Sequence, residues 1–187
     1  TLLIGGTHKT LPGPTCGLIM TNEQRYIDSI DYAISPTLLR NIQPNNIASL
    51  CLALIEQKEM GSEYQRNIVR NANKLGRYLE AEGVQVARIS STEYTKTHQL
   101  FLLFDAETTD HIYSQALHYN ITLNKRKSCL YTGIRLGVQE ITRYGYTDHD
   151  LQCVARLIYL LSQYDEKARN EIRALCESLS AKKEPLL

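Results

Sequence analysis

The stretch Ile4-Gly5-Gly6-Thr7-His8-Lys9-Thr10-Leu11-Pro12-Gly13-Pro14-Thr15-Cys16-Gly17-Leu18-Ile19-Met20 restricts the possible folds of this chain more than any other. Gly5 and Gly6 admit backbone conformations that a Cβ forbids, and they let a ligand come close. Pro12-Gly13-Pro14 bars a helix, and the triplet is expected to force a tight reversal. Gly17–Met20 then reads as an apolar strand. Together these residues predict a small-residue loop with one lysine, a turn and a strand. A lysine desolvated in such a loop, or set beside a protonated His8, has its pKa lowered and becomes an amine nucleophile. The alternative is a solvated surface lysine, and the rest of the chain has to decide.

A second block bears on that choice. Thr132-Gly133-Ile134-Arg135-Leu136-Gly137-Val138-Gln139-Glu140-Ile141-Thr142-Arg143-Tyr144-Gly145 sets an arginine inside an apolar, glycine-flanked strand. A guanidinium in that setting needs a partner. Its planar fork can fix a carboxylate at two points.

The run Thr-His-Lys-Thr-Leu-x-Gly-Pro resembles the cofactor-lysine segment of the serine hydroxymethyltransferases and of their relatives, the threonine aldolases and transaldolases. The second block resembles that family's Ser/Thr-Gly-Ile-Arg-x-Gly stretch, and Thr122-Leu123-Asn124-Lys125 echoes its Val-Asn-Lys. The resemblance implies an α/β chain, the C-terminal part of the aspartate-aminotransferase-type fold of pyridoxal-phosphate (PLP) enzymes. Residues 1–60 would be the end of the large domain and 61–187 the small α/β domain. Lys9 would form the Schiff base with PLP, with Thr7 beside it and His8 as a further catalytic residue that donates toward the Schiff base or substrate, or else only orders the loop, and Arg135 would hold the carboxylate of the amino-acid substrate.

Counting from Pro36 places Arg40 and Asn41 where the family carries a Gly-Gly pair that reaches the cofactor phosphate across a subunit interface. A guanidinium and an amide can bind phosphate, and a solvated loop arginine is the equal alternative. The implied chemistry is aldol or retro-aldol cleavage, or hydroxymethyl or glycyl transfer. A PLP-dependent aminotransferase of the same fold and a non-catalytic subunit that stabilises a partner are the other readings. The segment Arg126–Tyr131 is short where the hydroxymethyltransferases have a longer folate-binding loop, which weakens the expectation of tetrahydrofolate. What lies N-terminal to the lysine in the family is absent here. The resemblance therefore implies a fragment or a split enzyme, completed by a second chain in a homo- or hetero-oligomer with sites at its subunit interfaces.

Composition narrows the alternatives. A net charge of +1 argues against a nucleic-acid partner. No apolar run reaches the length of a membrane span, and no secretion signal is expected. Five cysteines without a C-x-x-C pair suit reduced thiols, each a small buried hydrophobe, in a cytoplasmic protein. His98, His111, His118 and His149 lack metal-site spacing, so no metal is expected.

The periodicity predicts a short helix between Asn22 and Ile34, then an extended approach to Pro36. A helix capped by Asn45 or Asn46 carries Ile47, Leu50, Cys51, Leu54 and Ile55, with burial on most sides. It is expected to stop near Met60-Gly61. Ser62-x-x-Gln65 reads as a capping box for a second long helix, closed by Gly83. Strands are expected over Val84–Ile89, Leu100–Phe104, Ile121–Asn124 and Gly133–Gly137. Helices start at Thr108 or Thr109 and at Thr147. A last amphipathic stretch holds Ile172, Leu175, Cys176 and Leu179, and the tail 181–184 is expected to fray.

Overall fold

The computed structural model describes residues 1–127, 131–163 and 165–181. The short loop's residues 128–130, Cys129 included, and the tail beyond Ala181 lie outside the described residues. The chain divides into two compact units, Thr1–Ser62 and Glu63–Leu187.

The first unit begins with an antiparallel hairpin of β1 (Leu2–His8) and β2 (Pro12–Thr21). Pairing runs from Leu2↔Thr21 to Gly6↔Gly17, slips at a bulge, and closes at His8↔Pro12. The reversal therefore falls on Lys9-Thr10-Leu11, and the expected turn at Pro12-Gly13-Pro14 is corrected. Pro12 opens β2 instead, a position where a proline costs no ladder hydrogen bond. The Gly5-Gly6 stretch is likewise strand, not loop. Thr7 is fully buried, and its hydroxyl donates to the Pro14 carbonyl at 2.6 Å, with Cys16 O at 3.1 Å and Cys16 Sγ at 3.0 Å.

Helix α1 (Gln24–Tyr32) runs into a π-helical turn, Ala33–Leu38, in which Ser35 is extended at φ −133°, ψ 124°. The proline that follows pushes Ser35 out of the helical region. Helix α2 (Pro44–Ala81) is continuous over 38 residues. The expected break at Gly61 and the expected capping box at Ser62 are both corrected, since these residues lie inside the helix. The expected burial of its first turns is corrected too: Ala53 is buried, but Ile47, Leu54 and Ile55 are each about half exposed, at 54%, 47% and 56%.

The second unit holds the core. Helix α2 ends in a Schellman motif, with Gly83 at φ +95°, Gly83 N–H donating to Glu80 O (3.0 Å) and Val84 N–H to Leu79 O (2.9 Å). The expected strand over Val84–Ile89 shrinks to one bridge, Val86↔Leu102, because the chain turns back at Ile89 onto Glu93. Strands β3 (Gln99–Leu103), β4 (Asn124–Lys127) and β5 (Thr132–Gly137) form an antiparallel sheet in the order β3-β5-β4.

Leu100, Leu102 and Ile134 point to one face and are fully buried with Ile68, Leu75 and Leu79 of α2. Ile112 and Ala116 of α3 (Ala106–His118) and Leu151, Ile158 and Leu161 of α5 (Asp148–Ser162) complete that layer. Each such Leu or Ile contributes roughly 1.5–3 kcal/mol by leaving water. Asp105, not Thr108 or Thr109, caps α3, accepting from Thr108 N at 2.8 Å. Thr147 caps α5 as expected, in a capping box with Asp150. A short helix, α4 (Gln139–Arg143), and α6 (Arg169–Ser180) with Ile172 and Leu179 buried complete the unit.

Gly133 fixes how β5 meets β3. Its φ is +148°, and a Cβ there would stand 1.9 Å from the Leu102 carbonyl oxygen. Only glycine allows that approach.

Candidate functional site

Three places carry the residues singled out from the sequence. The first is the hairpin tip. Lys9 follows the last residue of β1, and its side chain is exposed. Among the described residues its amine makes no hydrogen bond and no ion pair. His8 is exposed as well, and its ring folds back along β1, with Cε1 3.2 Å from where a Gly6 Cβ would lie. Thr7 faces inward, so its hydroxyl ties the two strands together beneath the tip. The local sequence explains the arrangement: a bulge after Gly6, and a proline that begins the return strand, leave three residues to turn.

The second place is a cavity of about 500 Å³ within the first unit. Arg40 and Asn41 line it together, with Cys16 and Gly17 of β2, Ser35 of the π-helical turn and Leu50 of α2. The extended Ser35 and the loop after Leu39 set the two polar residues on its wall. Lys9 and His8 are not among its lining residues. The structure thus brings Arg40 and Asn41 together, and keeps the lysine apart from them.

The third place is the outer face of the sheet in the second unit. Arg135 pairs across the sheet with Phe101 on one side and Asn124 on the other. Paired residues share a face. Ile134 next to it points into the core, so Arg135 points away from the core. It is half-buried, and its guanidinium has no hydrogen-bond or ion-pair partner among the described residues. Phe101 packs on Tyr131, ring centroids 4.8 Å apart. Lys125, one residue on from Asn124, turns to the opposite face and binds Asp110 at 2.7 Å, a surface pair. The sequence reading missed Phe101 and Arg126 as members of this outer face. Strand alternation from Asn124, together with the pairing to β5, is the signal that finds them.

Among the described residues Cys16, Cys153 and Cys176 are half-buried free thiols and Cys51 is an exposed one, so the expectation that each cysteine is buried is corrected at all four. No described helix is long and apolar enough to cross a membrane.

Comparison with known proteins bears on all three places. The family model for serine hydroxymethyltransferase matches residues 2–158, which include Lys9, Arg40, Asn41 and Arg135. The serine hydroxymethyltransferase of Methanothermobacter marburgensis is 36% identical over 166 residues, covering 84% of this chain and 39% of the relative. That of Methanothermobacter thermautotrophicus is 33% identical over 186 residues, covering 95% of this chain and 44% of the relative. The chain therefore spans about two fifths of the length of the curated relatives it matches. Among solved structures, L-threonine transaldolase from Pseudomonas fluorescens in its internal aldimine state superposes with a TM-score of 0.79 at 28% identity, covering 95% of this chain and 42% of that one. The expected α/β fold of the aspartate-aminotransferase type stands. With well over half of its residues matched by one family model, this chain belongs to the serine hydroxymethyltransferase family.

Proposed function

We propose that the chain is the lysine-bearing part of a PLP-dependent enzyme that makes or breaks the Cα–Cβ bond of an amino acid. The reaction is aldol or retro-aldol cleavage, or the related hydroxymethyl or glycyl transfer. The activity belongs to the assembled protein, in which further polypeptide supplies the remaining length of the relatives. The observation that carries this reading is the Lys9 amine, exposed at a hairpin tip and unpaired among the described residues, within the stretch matched by the family.

The donor set suits the cofactor. An unpaired primary amine is what an aldehyde carbon requires. Arg40 and Asn41, side by side on a cavity wall that Lys9 does not line, would offer a charged fork and an amide to the phosphate of a cofactor held by another subunit. When bound, PLP supplies an electron sink for the charge that develops at Cα. The chain's own residues do the rest. Lys9 Nζ would hold the cofactor through its aldehyde carbon. Thr7, locked between β1 and β2, keeps the tip in register, and His8 lies back along the strand and leaves the tip clear. Arg135 grips the substrate carboxylate, which sets the direction of the bond to be broken.

The connection between β4 and β5 is only four residues long, from Lys127 to Thr132. It favours a folate-independent aldolase or transaldolase over one-carbon transfer, in keeping with the threonine transaldolase among the similar structures. The test is a PLP titration of the assembled protein. A visible band of lysine-bound pyridoxal that disappears in Lys9→Ala supports the enzyme. The absence of any such band makes the chain a non-catalytic, partner-stabilising subunit.

A further inference from the structure

The outer face of the sheet carries a second guanidinium that the proposed reaction leaves unused. Asn124 pairs with Arg135, and Arg126 pairs with Gly133. Alternate residues of a strand share a face, as do paired residues. Arg126 and Arg135 therefore stand on the same face as diagonal neighbours, their backbones roughly 7–8 Å apart.

Along β5 the positions on either side of Arg135 on this face are Gly133 and Gly137, which set no charged side chain beside the fork. Across the sheet the remaining positions of this face are Gln99, Phe101, Leu103 and Asn124. None of them is a carboxylate. Arg126 is exposed, and its guanidinium, like that of Arg135, has no hydrogen-bond or ion-pair partner among the described residues. The opposite face shows the contrast, since Lys125 there is neutralised by Asp110. Two adjacent forks with no counter-charge concentrate positive potential, and each can hold an acid group at two points. The paired rings of Phe101 and Tyr131 give the same face an apolar patch against which a carbon chain can lie.

We propose that this face binds β-hydroxy amino acids with a second acid group, the β-hydroxyl being what aldol cleavage of Cα–Cβ requires: Arg135 takes the α-carboxylate and Arg126 takes the acid group on the side chain. The proposal rests on the reading of Arg135 as the carboxylate arginine. It adds a substrate class to that reading and makes Arg126 the residue that selects it.

The test follows the arginine Nε–Hε signals by NMR while the full chain is titrated, without cofactor and at low salt, with L-glutamate and with L-alanine. The expected result is that glutamate binds about fivefold more tightly than alanine, the upper range for an exposed ion pair, and moves both the Arg126 and Arg135 signals. Arg126→Gln brings the ratio of the two affinities to about one. Equal affinities in the native chain, no saturable glutamate binding, or an unchanged ratio in Arg126→Gln overturns the proposal. The same titration separates the two readings. If Arg135→Gln leaves alanine binding unaltered, the carboxylate role of Arg135 fails; if only Arg126→Gln is silent, the substrate class fails alone.

Discussion

Three residues matter most at the residue scale, two for the proposed function and one for the fold, and each makes a different demand on its surroundings. Lys9 must stay unpaired, and a tip residue with no acid in contact meets that demand. Arg135 must stand in a partly dry place without a fixed partner, so that a carboxylate completes it. Truncation to alanine in the assembled protein is expected to weaken amino-acid binding by about 1.5–3 kcal/mol, the range for a charged hydrogen bond, while the visible cofactor spectrum persists; an unchanged dissociation constant contradicts its role. Gly133 must lack a side chain. Gly133→Ala forces a Cβ against the Leu102 carbonyl at a left-handed φ, and such strain costs on the order of 1–3 kcal/mol. It is expected to show as a lower urea midpoint; an unshifted midpoint contradicts the close approach. The sequence pointed to Lys9 and Arg135 through their neighbours. It did not reveal that Thr7 is buried and bonded across the hairpin, because that depends on which residues of β2 lie opposite.

Elements were legible where a local signal had no competitor. Thr147 with Asp150 marks the start of α5, and Gly83 the end of α2. Thr147→Ala is expected to cost about 1 kcal/mol in unfolding free energy. Helix α2 was misread because Gly61 followed by Ser62-x-x-Gln65 looks like a stop and a start, yet one glycine costs a helix only about 1 kcal/mol. The burial of Tyr64 and Ile68 in the turns that follow outweighs it. A Cβ at Gly61 would meet only the flexible Gln57 side chain, its Oε1 at 3.0 Å and its Cβ at 3.4 Å. Gly61→Ala is therefore expected to raise stability by about 0.4–1 kcal/mol, whereas a loss means that the helix bends or ends there.

Another tie fixes the loop after α2. Arg88 and the Tyr94 hydroxyl both donate to the Glu80 carboxylate. The hydrogen bond from Arg88 does most to hold Glu80 below the usual carboxylate range, and that from Tyr94 adds to it. A carboxyl lowered in the folded state contributes stability above its unfolded pKa and loses it as pH falls through the folded value. Glu80→Gln is thus expected to flatten the acid side of the stability curve below about pH 4.5; since the pair is largely exposed, the effect is small.

The two units differ in how much they bury. Glu63–Leu187 encloses a continuous cluster around Leu75, Leu102 and Ile134. In Thr1–Ser62 only Thr7, Ala53 and Gly61 are buried among the described residues, while Leu2, Leu3, Ile4, Ile19 and Met20 are exposed on the hairpin. A two-stranded hairpin is marginal by itself, and exposed apolar groups of this number call for cover. The proposed function gives that role to the polypeptide that completes the relatives' length. Amide hydrogen exchange in residues 1–62 is expected to be fast in the isolated chain and slower in the assembled protein, with little change in the core around Leu102; equal protection of both units in the isolated chain contradicts this.

The fold class was legible from two sequence blocks, those around Lys9 and Arg135, that resemble one family. The surroundings of Lys9 were not, since the tip is set by the bulge after Gly6 and by the pairing of His8 with Pro12, which no local signal announces. The most direct measurement is borohydride reduction of the assembled, PLP-loaded protein followed by peptide mapping. The account predicts a pyridoxyl group on Lys9 Nζ and on no other lysine of this chain; a pyridoxyl group elsewhere, with Lys9 unmodified, contradicts it.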